Sequence, residues 1–265
     1  MQRYKIIHHL SFFIHNFCTF AREMRYFIWF SYDGTAYHGW QIQPNGVTVQ
    51  SELQRCLSML LRQTVEVVGA GRTDAGVHAR CMVAHFDYEG SYDMSNLAYK
   101  LDHALPDDIS IYKVEPVDSD MHARFSAKRR TYHYYIHTWK SPFLRRYSCQ
   151  LHYQLDFVSM NRAAQVLMEY EDFGAFCKAG SDVKTTLCQI YAAAWHQTSP
   201  TEWYFEISAN RFLRNMVRAV VGTLIEVGRG RMTVDEFRHV IEQGRRTGAG
   251  ESMPAHALFL ENVEY

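Results

Sequence analysis

The sequence predicts an α+β fold in two halves, and three observations lead to this prediction. Apolar runs of strand length alternate with segments of helical spacing, first in the order strand, helix, strand, strand, helix, strand. This is the order of a split βαβ, or ferredoxin-like, unit. A similar order recurs in the second half of the chain. Between the halves, near residues 118–126, an acidic composition changes to a basic one.

The individual elements follow from hydrophobic spacing and from capping and turn residues. Thr48 is a predicted cap for a helix that runs to about Arg62, Pro106 ends a second helix, and Thr233 caps an extra one. The predicted strands span residues 25–32, 65–70, 81–88, 109–117, 131–138, 188–196, 203–208 and 258–265, and the predicted helices span 49–62, 95–104, 156–168, 213–227 and 233–242.

The boundary between the halves divides the chain into an N-terminal domain, residues 24–120, and a C-terminal domain, residues 121–265. We expect residues 1–23 to form an extension outside the fold, and translation to begin at Met24. This extension is too often interrupted by polar residues to span a membrane, and it lacks the small-residue cleavage site of a signal peptide.

Composition narrows the class of protein. A chain of 265 residues with 47% hydrophobic content can bury one large core or two domains of ordinary size. The six cysteines form no CxxC pair and have no metal-ligand spacing with histidine. We therefore expect a cytoplasmic protein with reduced thiols and no bound metal.

Charge is segregated along the chain although the formal net charge is zero. Residues 87–120 contain nine acidic residues and two lysines, whereas residues 121–155 contain seven basic residues and no acid. Lys128, Arg129 and Arg130 belong to this basic segment, and aromatic residues are interleaved with it. The segment is either a solvated face or a surface that stacks on bases and binds phosphates.

One carboxylate stands out as a candidate for chemistry. Asp74 lies in the stretch GAGRTDAGVHAR of residues 69–80, which we predict to be a loop between two buried strands. Its glycines permit close approach of a ligand, and Arg72 can contact a phosphate or the acid itself. The alternative is an ordinary turn in which the carboxylate caps backbone amides.

Three arginines recur with helical spacing in a later segment. If the helix predicted at 213–227 extends back to residue 211, Arg211, Arg214 and Arg218 lie on one of its faces, near its N-terminal end. Such a face is either solvated or binds an anion, and the anion is either a phosphate or the ionised Asp74. Because the sequence has no second catalytic carboxylate and no recognisable Ser or Cys nucleophile motif, chemistry would depend on one Asp, acting in nucleophilic attack or proton abstraction.

Five ordered blocks resemble the bacterial tRNA pseudouridine synthase A family from Arg25 to the C-terminus: YDGTAYHGWQ, GRTDAGVHA, HARFSAKRRTYHYYI, FLRNMVRAVVGTLIEVG and PAHALFL. The resemblance implies isomerisation of uridines 38, 39 and 40 in the anticodon arm of tRNA to pseudouridine, with no metal or organic cofactor. It also implies two ferredoxin-like domains whose antiparallel sheets meet at a central active-site cleft, and a homodimer.

The resemblance assigns roles to four residues. Asp74 matches the catalytic aspartate, and Arg218 matches the arginine that pairs with it. Arg72 matches the arginine that takes the place of the flipped nucleotide, and Tyr132 matches the tyrosine that stacks on the target base. Attack on the ribose, attack on the base and abstraction of a ribose proton are all open routes for the carboxylate.

Extrusion of a base from a stem costs a few kcal/mol, which stacking and phosphate contacts offset. We expect Lys128, Arg129 and Arg130 to supply phosphate contacts. The alternative functions are a related synthase with a different RNA target and a catalytically silent tRNA-binding protein. The sequence departs from the family at Ala257, where glycine is usual, and in residues 1–23, which have no counterpart.

Overall fold

A computed structural model describes residues 24–178, 180 and 183–265. The expected extension at residues 1–23 lies outside this part of the chain. The first half contains β1 (Met24–Tyr32), α1 (Val49–Leu61), β2 (Val68–Gly69), β3 (His78–Tyr88), α2 (Met94–Ala104) and β4 (Ile109–Val117). The second half contains β5 (Arg129–His137), β6 (Cys149–Gln150), α3 (Phe157–Val166), β7 (Ile190–Ser199), β8 (Glu202–Ala209), α4 (Met216–Gly228), α5 (Val234–Gln243) and β9 (Leu258–Glu264).

The strands form one sheet in the order β4-β1-β3-β9-β5-β8-β7, with β2 paired to β3 and β6 paired to β5. The first half contributes the order β4-β1-β3-β2, and the second half contributes the equivalent order β9-β5-β8-β7. The predicted α+β class is therefore confirmed. The boundary at residue 120 falls between β4 and β5 and stays a prediction.

The two halves join where β3 lies beside β9. This parallel pairing covers two positions, His78 with Phe259 and Ala79 with Leu260. Further along β3, the same strand edge pairs instead with β2, at Ala84 and His85. The segment that links β2 to β3, residues 70–77, therefore lies at the junction between the halves.

Local sequence signals explain where several helices begin and end. The Thr48 side chain accepts from the backbone N–H of Ser51, and Thr233 makes the corresponding contact with Glu236, so both predicted caps are confirmed. Each cap contributes about 1 kcal/mol to helix stability. α5 ends at Gly244, whose φ of 63° is readily adopted by glycine. No helix of the described residues is long and apolar enough to cross a membrane.

The strand predicted at residues 65–70 is much shorter in the structure. Val65 and Val67 are buried, as the apolar pattern indicated, but their N–H groups donate to side chains of α1. The acceptors are Ser58 Oγ at 3.0 Å and Gln54 Oε1 at 3.0 Å. Since helix side chains satisfy this backbone, the ladder with β3 is limited to β2.

The helix predicted to start at residue 213 begins three residues later, at Met216. Asn215 has a φ of 66°, a left-handed conformation that ends any helical continuation toward the N-terminus. Arg211 and Arg214 therefore precede α4. The prediction of three arginines on one helical face was wrong, and of these three residues Arg218 is the one that lies on the helix.

Candidate active site

The site is built around residues 70–77, here called the Asp74 loop. Its first residue continues the β2 pairing, since Ala70 N–H donates to Val83 O at 2.8 Å. A turn closes its end, where Val77 N–H donates to Asp74 O at 3.1 Å and Gly76 has a φ of 77°. The Asp74 side chain is 29% exposed. The carboxylate is thus held on a fixed loop and remains accessible.

The segment that follows β1 supports the Asp74 loop from one side. Trp40 N–H donates to Thr73 O at 3.3 Å, and Gly76 N–H donates to Tyr37 O at 3.4 Å. The Thr73 hydroxyl also lies 2.8 Å from the Tyr32 hydroxyl. Gly39 has a φ of 86°, and a Cβ there would lie 2.4 Å from Thr73 O. Glycine at this position therefore allows the two segments to touch.

The glycines around the Asp74 loop differ in their roles. A Cβ on Gly69 would lie 2.5 Å from the Trp40 ring, so this glycine is required for packing. A Cβ on Gly71 would meet no atom within 4 Å. The expectation that the glycines admit a ligand therefore fits Gly71 and not Gly69.

Arg218 binds the Asp74 carboxylate from the second half of the chain. Its Nη1 donates to Asp74 Oδ2 at 3.0 Å, and its Nε donates to Met253 O at 2.6 Å. The guanidinium is thus fixed at two points, and its charge-assisted bond orients the carboxylate. The structure therefore contains a hydrogen-bonded ion pair between Asp74 and an arginine, as the sequence suggested.

The position of Met253 depends on a glycine inside α4. A Cβ on Gly222 would lie 1.8 Å from Glu251 O, so residues 250–253 can approach the helix because residue 222 has no side chain. Met253 N–H donates to Arg218 O at 3.1 Å in return. Sequence reasoning missed this support, although glycine within an apolar helix is a known signal of close approach.

Tyr132 lies on β5 and is 8% exposed. Its ring stands at 88° to the ring of Phe212, with centroids 5.1 Å apart. Burial raises the pKa of the Tyr132 phenol to about 12; the positive charge of Arg130 opposes the shift, and the negative charge of Asp74 adds to it. The phenol is therefore neutral near pH 7 and lies within electrostatic range of the catalytic candidate.

Arg72 lies two residues before Asp74 and is exposed. Within the described residues it makes no ion pair and no hydrogen bond through its guanidinium. The structure thus pairs Asp74 with Arg218 and places Tyr132 within electrostatic range of Asp74, and it leaves Arg72 exposed.

Arg130 departs from the expectation of a phosphate contact. It is 8% exposed, and its guanidinium donates to four backbone carbonyl oxygens. The acceptors are Ala70 O at 2.9 Å, Asn210 O at 2.6 Å, Arg124 O at 2.5 Å and Ala127 O at 3.2 Å. Burial lowers the pKa of this guanidinium from its usual value. Arg130 is a buried brace for the Asp74 loop, and its donors are directed into the protein.

Lys128 and Arg129 are both exposed at the start of β5. Arg129 Nε is 4.0 Å from Glu264 Oε2, and its guanidinium lies 4.9 Å from the ring centroid of Tyr191. Because side chains alternate across a strand, Arg129 and Tyr132 lie on opposite faces of β5. The structure does not bring Arg129 to Asp74.

Two further features of the described residues bear on the chemistry. No group of three His, Cys, Asp or Glu side chains among them is placed to hold a metal ion. A cavity of about 450 Å³ lies beside Asp33, His78, Tyr147 and Phe259, and it includes none of the predicted site residues. The candidate chemistry therefore lies at the Asp74 loop and not in this cavity.

Comparisons with known proteins agree with the resemblance of the sequence blocks. A family model described as tRNA pseudouridine synthase matches residues 28–126 and 163–265. The chain is 58% identical over 242 residues to the tRNA pseudouridine synthase A of Bacteroides fragilis, covering 91% of this chain and 96% of the relative. It is 39% identical over 239 residues to the protein of that name from Bacillus subtilis, covering 89% and 96%.

Proposed function

The chain belongs to the tRNA pseudouridine synthase family, and from this premise we propose that Asp74 is the residue that carries out its reaction on uridines 38, 39 and 40 of the anticodon arm. As a member of this family the chain is an isomerase that converts uridine in tRNA to pseudouridine.

The single observation that carries the role of Asp74 is its asymmetric hydrogen bonding. Arg218 holds Oδ2 at 3.0 Å, while Oδ1 accepts no hydrogen bond from the described part of the chain. One oxygen is therefore fixed by a cation and the other is offered to a ligand. Attack on the ribose, attack on the base and removal of a ribose proton all require such an oriented, available oxygen.

The isomerisation exchanges one bond of the nucleotide for another. The N1–C1′ bond breaks, the uracil rotates, and a C5–C1′ bond forms, while C5 loses a proton and N1 gains one. The base has to leave the helix for this exchange, and stacking on an aromatic ring offsets part of the cost. Tyr132 provides that ring beside Asp74, and the exposed Arg72 can take the place that the base leaves.

Release of the C5 proton provides the test. Transcripts of one tRNA are prepared with C5-tritiated uridine at position 38, 39 or 40, with cytidine at the other two. We expect the wild-type protein to release tritium from each transcript. Release from one position alone would refute the range of sites, and release from none, with pseudouridine formed elsewhere in the tRNA, would refute the anticodon arm as target.

A homodimer is the second part of the proposal and rests on the resemblance. It is supported by a cluster of rings on the sheet face opposite Tyr132, formed by Tyr135, Tyr204, His133 and Phe259. Arg80, 58% exposed, lies 5.2 Å above the ring of Phe259. Light scattering is expected to give about twice the chain mass of 31.0 kDa, and a monomer mass would refute the dimer. We further propose a cytoplasmic location, where the tRNA substrate is found.

A further inference from the structure

The loop between β5 and β6, residues 138–148, exposes three large aromatic side chains that the proposed reaction does not use, and two of them are exposed over most of their surface. Trp139 is 75% exposed and Phe143 is 86% exposed. Single exposed aromatic residues are common on protein surfaces, so exposure alone decides nothing. What distinguishes these two is the charge around them.

Three cations lie in the same loop. Lys140, Arg145 and Arg146 are exposed, and no Asp or Glu occurs anywhere in residues 121–155. Alternating aromatic and basic side chains are the composition of surfaces that bind single-stranded RNA, because bases stack on the rings while the cations neutralise phosphates. A protein partner would have to supply acidic groups at the same spacing, whereas a nucleic acid supplies them along its whole backbone.

The 138–148 loop is anchored at both ends. Thr138 N–H donates to Thr201 O at 2.9 Å, and His137 Nδ1 lies 2.8 Å from Ser148 Oγ. Tyr147 OH donates to Asp33 Oδ2 at 2.7 Å. The aromatic and basic side chains between these anchors are therefore presented on a fixed support.

These anchors place the loop at the same end of the sheet as the Asp74 loop. The ring of Tyr147 contacts that of His78, with centroids 5.3 Å apart, and His78 begins β3 immediately after the Asp74 loop. Gly34, next to Asp33, donates its N–H to His78 Nδ1 at 3.0 Å. The 138–148 loop and the Asp74 loop are therefore connected through His78 at one end of the sheet.

A cleft lies beside the first aromatic residue. It has a volume of about 520 Å³ and is lined by Trp139, Lys140, Thr138, Gln150 and His152. This volume lies within the range of about 300–1,000 Å³ found for small-ligand sites. The cleft combines an aromatic wall, a cation and three side chains that can hydrogen-bond a base edge.

We propose that the 138–148 loop is a second RNA contact, in which unpaired bases of the bound tRNA stack on Trp139 and Phe143 while Lys140, Arg145 and Arg146 neutralise nearby phosphates. The inference takes the identity of the RNA from the proposed function. It adds a binding site that contains none of the residues assigned to the reaction.

Two variants test the proposal with an unmodified tRNA transcript. The first, Trp139→Ala with Phe143→Ala, is expected to raise Kd at least about fivefold for each stacked base that is lost. The second variant is Lys140→Gln with Arg145→Gln and Arg146→Gln. It is expected to lower the magnitude of the slope of log K against log salt by about 2, because each of the three lost phosphate contacts accounts for roughly 0.7. The rate at saturating tRNA should stay within about twofold of wild type, because the loop does not touch the reacting atoms.

Matched controls remove the same chemistry from other surfaces. The control for the aromatic variant is Tyr99→Ala, which removes an aromatic side chain that is 62% exposed on α2. Arg55, Lys100 and Arg231, all exposed, provide a control triple change to Gln. Loop variants that bind tRNA with the Kd and slope of these controls would overturn the proposal. So would loss of affinity that accompanies a fall of the molecular mass to that of a monomer, since this would assign the loop to a second copy of the chain.

A cross-linking experiment keeps the proposal testable if a variant folds poorly. Benzoylphenylalanine at position 143 should cross-link to the tRNA under illumination, whereas the same group at position 99 should not. No cross-link at 143 with full tRNA binding would refute the contact. If the wild-type protein binds tRNA but releases no tritium, the proposed function is refuted. Binding and cross-linking then still test whether the loop contacts the tRNA.

Discussion

The guanidinium of Arg130 donates to the carbonyl oxygen of Ala70, at 2.9 Å from Nη2 and 3.3 Å from Nε. Arg130 lies on β5 in the second half of the chain, and Ala70 opens the Asp74 loop in the first. The same guanidinium binds Asn210 O at 2.6 Å, at the end of β8. One buried cation therefore connects the Asp74 loop to the segment that leads into α4 and Arg218.

Removal of this connection should destabilise the protein. Arg130→Ala leaves several buried carbonyl oxygens without donors, and we expect the free energy of unfolding to fall by about 2–4 kcal/mol. Arg130→Lys keeps the charge but not the planar fork, so an intermediate loss is expected. Urea unfolding measures both, with the exposed Arg129→Gln as the control of unchanged stability. An Arg130→Ala protein as stable as wild type would contradict the role of a brace.

Lys128 and Arg129 should act on RNA binding and not on stability. Both are exposed, and the contact of Arg129 with Glu264, at 4.0 Å, is a weak surface pair. Changing either residue to Ala is expected to weaken tRNA binding and to lower the salt slope by about 0.7–0.9. Filter binding at several salt concentrations measures the slope, and an unchanged slope would remove the residue from the interface.

Arg218 should affect the chemical step more than binding. Arg218→Ala removes the hydrogen bonds to Asp74 and to Met253 O, and we expect kcat to fall by about 100- to 1,000-fold because the carboxylate loses its orientation. Arg214→Gln is the matched control, since this exposed arginine precedes α4. Equal effects of the two changes on kcat would show that general positive charge, and not the pairing with Asp74, matters.

Local signals were sufficient to predict much of the fold. Thr48 and Thr233 identify helix starts because a cap acts within three residues of itself. The start of α4 was placed too early because the left-handed conformation of Asn215 is not evident from an apolar helical pattern. The strand at 65–70 was overestimated because its N–H partners, Ser58 and Gln54, belong to a helix.

The candidate catalytic residue could be predicted from its own motif. The position of a residue that depends on contacts between the two halves could not. Asp74 stands out through its motif. The charge of a later segment left a phosphate or Asp74 as the anion, and the family resemblance selected Arg218 as the partner of Asp74. The burial of Arg130 could not be read from its neighbours, because a run of three basic residues looks like a surface. Its partners at Ala70 and Asn210 are distant in sequence and become neighbours through the sheet.

His85 should make stability depend on pH. Burial, with the positive charges of Arg25 and His122, lowers the pKa of His85 to about 4, although Asp87 opposes this shift. The neutral Nδ1 accepts from Ala123 N–H at 3.1 Å. Between pH 4 and the usual value near 6.5, the unfolded chain binds a proton that the folded protein does not. Stability is therefore complete above about pH 6.5 and is lost as the pH falls toward 4, by up to about 3 kcal/mol.

Urea unfolding at neutral and acidic pH measures this dependence. His85→Gln keeps an acceptor that does not titrate, so its stability should change less between the two conditions. His122→Gln is the companion variant, because His122 lies 4.6 Å from His85, centroid to centroid, and its pKa is also lowered by burial. Parallel pH profiles for wild type and His85→Gln would show that His85 is not the group responsible.

Tritium release by Asp74→Asn tests the central claim most directly. The amide keeps the size of the side chain and can still accept from Arg218, but it has no anionic oxygen to react. With tRNA tritiated at C5 of its uridines, we predict single-turnover release by wild type and none by Asp74→Asn, at equal tRNA affinity and equal stability. Release by Asp74→Asn at the rate of wild type would contradict the assignment of Asp74 as the catalytic residue.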